Sequence, residues 1–115
     1  MLSKKNYEVM LTHKIIIDLA LSFPGTELHQ HFERIGFKIA KKRMFATYLA
    51  KDNSLNIFLT TEEQRVFCRM STGIYPVPNK WGEKGATTFE LETVPEDIVS
   101  EALLSAYNNV LYSKK

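Results

Sequence analysis

The sequence predicts an α+β domain of two layers, with an antiparallel sheet of about five strands and helices packed on one face, in the order α-β3-α-β2-α. Three observations carry that expectation. Apolar residues recur at helical spacing at both ends of the chain, period-two alternation dominates between them, and a capping box near residue 60 divides the strands into two groups. No internal repeat, low-complexity tract or linker interrupts the sequence, so a single domain over residues 1–115 is expected.

The first helix is expected from about Lys5 to Ser22. Tyr7, Met10 or Leu11, Ile15, Ile16 and Leu19 form its apolar stripe. Phe23-Pro24-Gly25 ends it, because proline disfavours helical geometry at the residue before it and glycine suits a tight turn. Leu28–Phe32 alternates weakly. Gly36–Ala40 alternates clearly, with Phe37 and Ile39 opposite Lys38, and Met44–Ala50 sets Met44, Ala46 and Tyr48 against Phe45, Thr47 and Leu49. Lys51-Asp52-Asn53-Ser54 is turn chemistry, and Leu55–Leu59 returns as a strand.

Thr60-Thr61-Glu62-Glu63 is a helix start: a threonine hydroxyl accepts an amide three residues on, and Glu63 reaches back. The helix it opens, about Thr61 to Met70, is expected to bury Val66, Phe67 and Met70, with Cys68 a buried structural thiol on or beside that face. Gly73 closes the segment, Ile74–Val77 and Ala86–Glu92 read as strands, and the final helix follows. There Thr93 is the expected cap, Pro95 fits the first turn, and Glu96-Asp97 complement the helix dipole. Ile98, Ala102, Leu103, Ala106, Tyr107 and Val110 mark its buried face, with Lys114-Lys115 at its end.

Composition narrows the class. The chain is 44% hydrophobic and 24% charged, enough for a core without disulfide or metal staples. A lone cysteine forms no intramolecular bridge, no apolar run approaches a membrane span, and no signal peptide is recognisable, so a reducing, cytoplasmic setting is expected. A net charge of +2 permits a phosphate-binding role without demanding one. The charge is clustered: Lys38, Lys41, Lys42 and Arg43 flank one strand-to-strand turn, while Lys4, Lys5, Lys114 and Lys115 lie at the ends.

The stretch from Tyr75 to Thr88 holds two prolines, two glycines and the only tryptophan, with Lys80 and Lys84 on either side of Trp81. Pro76 and Pro78 straighten the exit from a strand, and Gly82 and Gly85 permit a reversal. Buried tryptophan is a common plug, so Trp81 is expected to close one end of the core. The other reading is a rigid wing that offers Lys80, Trp81 and Lys84 to a partner, and a buried ring with free lysines satisfies both.

Candidate chemistry is sparse. His29-Gln30-His31 sets two imidazoles on one face of a strand, with Glu27 or Glu33 as a third donor, but no usual set of metal ligands is completed and His13 lies on a separate helix. No metal or cofactor is implied. Ser71, Thr72 and Cys68 lack a nucleophile motif, no phosphate-cradling glycine loop occurs, and a non-catalytic protein is expected. Basic residues interleaved with an aromatic form the strongest signal. Two cationic turns from one sheet, Lys38, Lys41, Lys42 and Arg43 on one and Lys80, Trp81 and Lys84 on the other, are spaced to hold a phosphate backbone without reading bases.

Those same residues resemble the MmcQ/YjbR family. The similarity runs through Phe23-Pro24-Gly25-Thr26-Glu27, Phe37-Lys38-Ile39, Lys42-Arg43-Met44-Phe45-Ala46, Tyr75 to Lys84, and Ala106-Tyr107 with Val110, in order and over essentially the whole chain. Two positions depart from the family's pattern: Ala86 where a second tryptophan is usual, and Glu83 where a basic residue is common. The resemblance implies a fold of the secretion-chaperone-like or CyaY-like kind, a double-wing DNA-binding role of low sequence specificity, and no catalytic residue set. The alternative it leaves open is a protein- or peptide-interaction module using an exposed sheet face. The expected partners are therefore DNA or another protein, and not a membrane.

Overall fold

A computed structural model describes the backbone of residues 4–113 and the side chains of residues 13–113. Its elements run α1 (Lys4–Leu21), β1 (Thr26–His31), β2 (Arg34–Ile39), β3 (Met44–Leu49), a 3-10 turn (Ala50–Asp52), β4 (Ser54–Phe58), α2 (Thr61–Cys68), β5 (Ile74–Pro76), the short α3 (Lys80–Glu83), β6 (Ala86–Glu90) and α4 (Glu96–Leu111). The strands form one antiparallel sheet of six, ordered β1-β2-β3-β4-β6-β5. The α+β class stands, and the expected five strands become six. Four strands precede α2 where the order α-β3-α-β2-α allows three. The weakly alternating stretch near Leu28, expected as a strand, is the solvent-facing edge, which needs no apolar alternation to keep its ladder.

One face of the sheet carries the core. Cross-strand registers align Ile35, Tyr48, Leu55, Phe89 and Ile74, and beside them Phe37, Ala46, Ile57 and Thr87. All three long helices reach the sheet through this face. His13 of α1 meets Tyr48 edge-on at 5.3 Å, Phe67 of α2 meets Phe89 at 6.0 Å, and Tyr107 of α4 meets Phe45 at 5.6 Å. Phe23 stacks on Tyr107 at 5.1 Å, and the Tyr107 hydroxyl donates to the Pro24 carbonyl, which ties the end of α1 to α4.

Several sequence expectations are corrected. Simple alternation separates Phe45 from Ala46, but the register slips between Phe37 and Lys38, so Met44 pairs with Lys38 while Ala46 pairs with Phe37. That bulge turns Phe45 into the helix side, within 6.4 Å of the Phe37 ring, and leaves Met44 with Lys38 on the other face. Ile15 is exposed whereas Ile16 and Ala20 are buried, and the expected contributions of Tyr7, Met10 and Leu11 lie outside the described side chains.

The capping box at α2 is as expected: Thr60 Oγ1 accepts from the Glu63 amide, and Glu63 Oε1 accepts from the Thr60 amide. The face it buries differs. Phe67 is buried, but Val66 is 54% exposed, and Met70 is exposed beyond the helix end. Gln64 takes the inward place. Cys68 is half-buried, and burial pushes its thiol pKa up, away from a reactive thiolate. At α4 the N-cap is Pro95, with no side-chain cap from Thr93; Glu96 and Asp97 occupy the first turn. Val99 is buried in the place expected of Ile98, which is half-buried, and Lys114-Lys115 lie outside the described residues.

Candidate nucleic-acid interface

Strand direction decides where the two cationic turns fall. In an antiparallel sheet ordered β1-β2-β3-β4-β6-β5, β2 and β5 run the same way, so the turns that follow them leave the same end of the sheet. The midline of the β2–β3 turn lies three interstrand spacings from that of the β5–β6 connection, roughly 14 Å at ~4.8 Å per strand. Lys42 and Lys84 therefore belong to connections that leave the same end of the sheet.

The first turn is held by backbone alone. Lys42 N–H donates to the Ile39 carbonyl at 2.8 Å, and Ala40 N–H to Gly25 at 2.8 Å. Lys41 adopts a left-handed φ of 65°, which strains a side-chain-bearing residue but sends Lys41 outward at the turn's apex. Lys41 and Arg43 are exposed; Lys42 and Lys38 are half-buried. Lys38 projects from β2 onto the sheet face that carries no helix among the described residues, with Glu27 opposite it in β1.

The second turn is built from side chains as well as backbone. Asn79 caps the single turn of α3, its Oδ1 accepting from Trp81 N–H at 2.8 Å. The buried Gln64 amide reaches in from α2 and donates to the Gly82 carbonyl (2.9 Å), the Ala86 carbonyl (3.1 Å) and Thr87 Oγ1 (3.1 Å). Thr87 Oγ1 in turn donates to the Gly85 carbonyl at 2.8 Å. Gly85 has φ +115° and lies against the Leu59 backbone, so a side chain there is blocked by both conformation and space. Gly82 is needed for space alone: a Cβ would run into the Val77 carbonyl, and its φ is not positive. Gly82 thus serves the reversal through its missing Cβ, and Gly85 through its positive φ as well.

Trp81 does not plug the core. It is 67% exposed, and Lys84 Nζ stands over its ring at 5.8 Å. Gln64 closes that end of the domain instead, freeing the ring to face solvent beside Lys80 and Lys84, both exposed. Below the turn lies an open groove of about 640 Å3, lined by Gln64, Pro76, Val77, Pro78, Asn79, Lys80, Gly82 and Glu83; Trp81 does not line it.

None of Lys38, Lys41, Lys42, Arg43, Lys80 and Lys84 forms an ion pair among the described residues, where the pairs are Lys14–Asp18 and Lys51–Glu33. Between the turns, at the end of β4, α2 begins with Glu62 and Glu63. Glu63 is committed to the capping box and to Asn109, which leaves Glu62 and Glu83 as the uncommitted carboxylates there.

The helix-free face is polar, and side-chain hydrogen bonds cross it between strands. Arg34 donates to Thr47 Oγ1 (3.3 Å), Thr88 to Asn56 Oδ1 (2.8 Å), and Tyr75 to Glu90 Oε2 (2.8 Å). The bond to Glu90 is the main cause that raises the Tyr75 pKa. His29 and His31 are exposed on β1, and no group of three or more His, Cys, Asp or Glu among the described residues is placed to hold a metal. No helix among them is long and apolar enough to cross a membrane.

Two residues were not flagged by the sequence. Gln64 had a readable signal, since it precedes Phe67 by three residues and so shares its inward face. Phe32, 89% exposed at the β1–β2 hairpin tip with φ 57°, had none, because a bulky residue is not expected in that conformation. Comparison with family models, curated proteins and solved structures gives no match.

Proposed function

We propose that this chain is a non-catalytic DNA-binding module of low sequence specificity, of the MmcQ/YjbR double-wing kind. The single observation that supports it most is the pair of cationic turns at one end of the sheet, carrying six basic side chains that make no ion pair among the described residues. Lys38, Lys41, Lys42 and Arg43 bind phosphates along one strand of a duplex. Lys80 and Lys84 bind phosphates on the other side of the groove. Their affinity comes from counterion release and carries no sequence information. Trp81, exposed and flanked by lysines, lies against the sugar-phosphate backbone and fixes the distance of approach. Titrating a labelled short duplex across a salt series tests this: log K falls linearly with log salt by about 0.9 per phosphate neutralised. Undetectable binding at low salt, or binding indifferent to salt, overturns it.

A protein- or peptide-interaction role for the helix-free sheet face is the second reading. Docking of that kind favours a contiguous apolar patch of several hundred Å2. Here Met44 and Phe58 are half-buried neighbours at one end of the face, bordered by Lys38 and by the hydrogen-bonded row Thr47, Asn56 and Thr88, which favours the phosphate-binding reading over this one.

A further inference from the structure

We propose that two copies of this chain associate through β1, pairing antiparallel about a two-fold axis in the register that sets Leu28 opposite itself. β1 is an edge strand bonded only to β2, and Glu27 through His31 are all exposed. Which backbone groups are free follows from the ladder. Ala40 N–H donates to Gly25, so Gly25 and Ala40 form a hydrogen-bonded pair, and by alternation Glu27, His29 and His31 point their amides and carbonyls at β2. Leu28 and Gln30 then direct theirs outward, away from the sheet, as does the Thr26 carbonyl, while the Thr26 amide donates to the Phe23 carbonyl.

An antiparallel copy centred on Leu28 pairs Thr26 with the second copy's Gln30 and Leu28 with its own counterpart. The amides and carbonyls of Leu28 and Gln30 and the Thr26 carbonyl face this interface. The Thr26 amide is already held by the Phe23 carbonyl at 3.2 Å, so the pairing is carried by the Leu28 pair and by Gln30 N–H donating to the Thr26 carbonyl in each half. The exposed Leu28 side chains meet at the axis. On the helix-free face each Glu27 carboxylate falls opposite the His29 imidazole of the other copy, an acceptor facing a donor in both halves of the interface. A partner displaced by one residue brings inward-bonded groups to the interface and leaves outward ones unmet.

The opposite edge shows what protection looks like. β5 has three residues, ends in Pro76, and packs beside α2. β1 has six, with no proline, lysine, arginine or bulge within it, the devices that usually blunt an edge. A single strand pair is a small interface, so the association is weak and concentration-dependent. It is independent of the nucleic-acid reading, because the two-fold sends the cationic ends of the two copies to opposite ends of the joined sheet.

Sedimentation equilibrium of the full chain from about 1 µM to 1 mM tests it, with Leu28→Pro as the diagnostic variant. Proline at 28 removes an outward amide and none of the bonds to β2, so the fold survives while association weakens by about tenfold or more. Leu28→Lys, which leaves the backbone intact and sets like charges face to face at the axis, gives the same result by another route. A wild-type chain that stays monomeric throughout, including one that instead captures an extended peptide, overturns the proposal. So does a dimer that both variants leave unchanged.

Discussion

The β2–β3 turn presents Lys41, Lys42 and Arg43 on a backbone reversal that only main-chain hydrogen bonds define, whereas the β5–β6 connection from Val77 to Gly85 is locked by Gln64, Asn79, Thr87 and two glycines. Both deliver cations to one end of the sheet. The first concentrates charge on a short turn that tolerates substitution at almost any side chain. The second holds an exposed indole in a fixed place, and does so with a buried amide that bears no charge. Where a large ring must stay in water, the polar network beneath it takes over the structural task that the ring itself performs in a core.

That contrast predicts unequal sensitivity to mutation. The largest effect is expected at Gly85→Ala, which combines a left-handed φ with a clash against the Leu59 backbone; chemical denaturation should give a loss of about 3 kcal/mol or more. Gln64→Leu keeps the volume but strips the donor from the Gly82 and Ala86 carbonyls, a loss of about 2–3 kcal/mol by the same measurement. A smaller change of opposite sign is expected in the first turn. Lys41→Gly relieves the positive φ and leaves stability unchanged or raised by up to about 1 kcal/mol, while removing one phosphate contact. Smallest is Trp81→Ala, within about 0.5 kcal/mol for a side chain so exposed. A loss near 3–5 kcal/mol there, the cost of deleting a core tryptophan, would restore the plug reading and erase the contrast.

The sequence made some of this legible and withheld the rest for identifiable reasons. Local signals transferred well: the Thr60–Glu63 capping box, the helix stop at Phe23-Pro24-Gly25 and the buried face of the last helix each depend on residues within a turn or two of one another. The Trp81 environment did not transfer, because it is decided by Gln64, distant in sequence, and composition around the ring resembles that of a buried plug. The bulge at Phe45 was equally invisible, since one extra residue in a strand leaves alternation intact on either side while reversing which side chains face the core. Val66 and Met70 were assigned to the core on hydrophobicity alone, and the helix had only one strand-facing stripe to fill, which Gln64 and Phe67 occupy.

The claim that both turns grip one duplex is tested most directly by charge reversal on each side. Lys42→Glu and Lys84→Glu, made singly and measured by duplex titration across a salt series, should each weaken binding and lower the salt slope by about one or more. Unchanged affinity and slope in either variant, with the other impaired, would mean that a single turn carries the contact and would contradict the two-turn account.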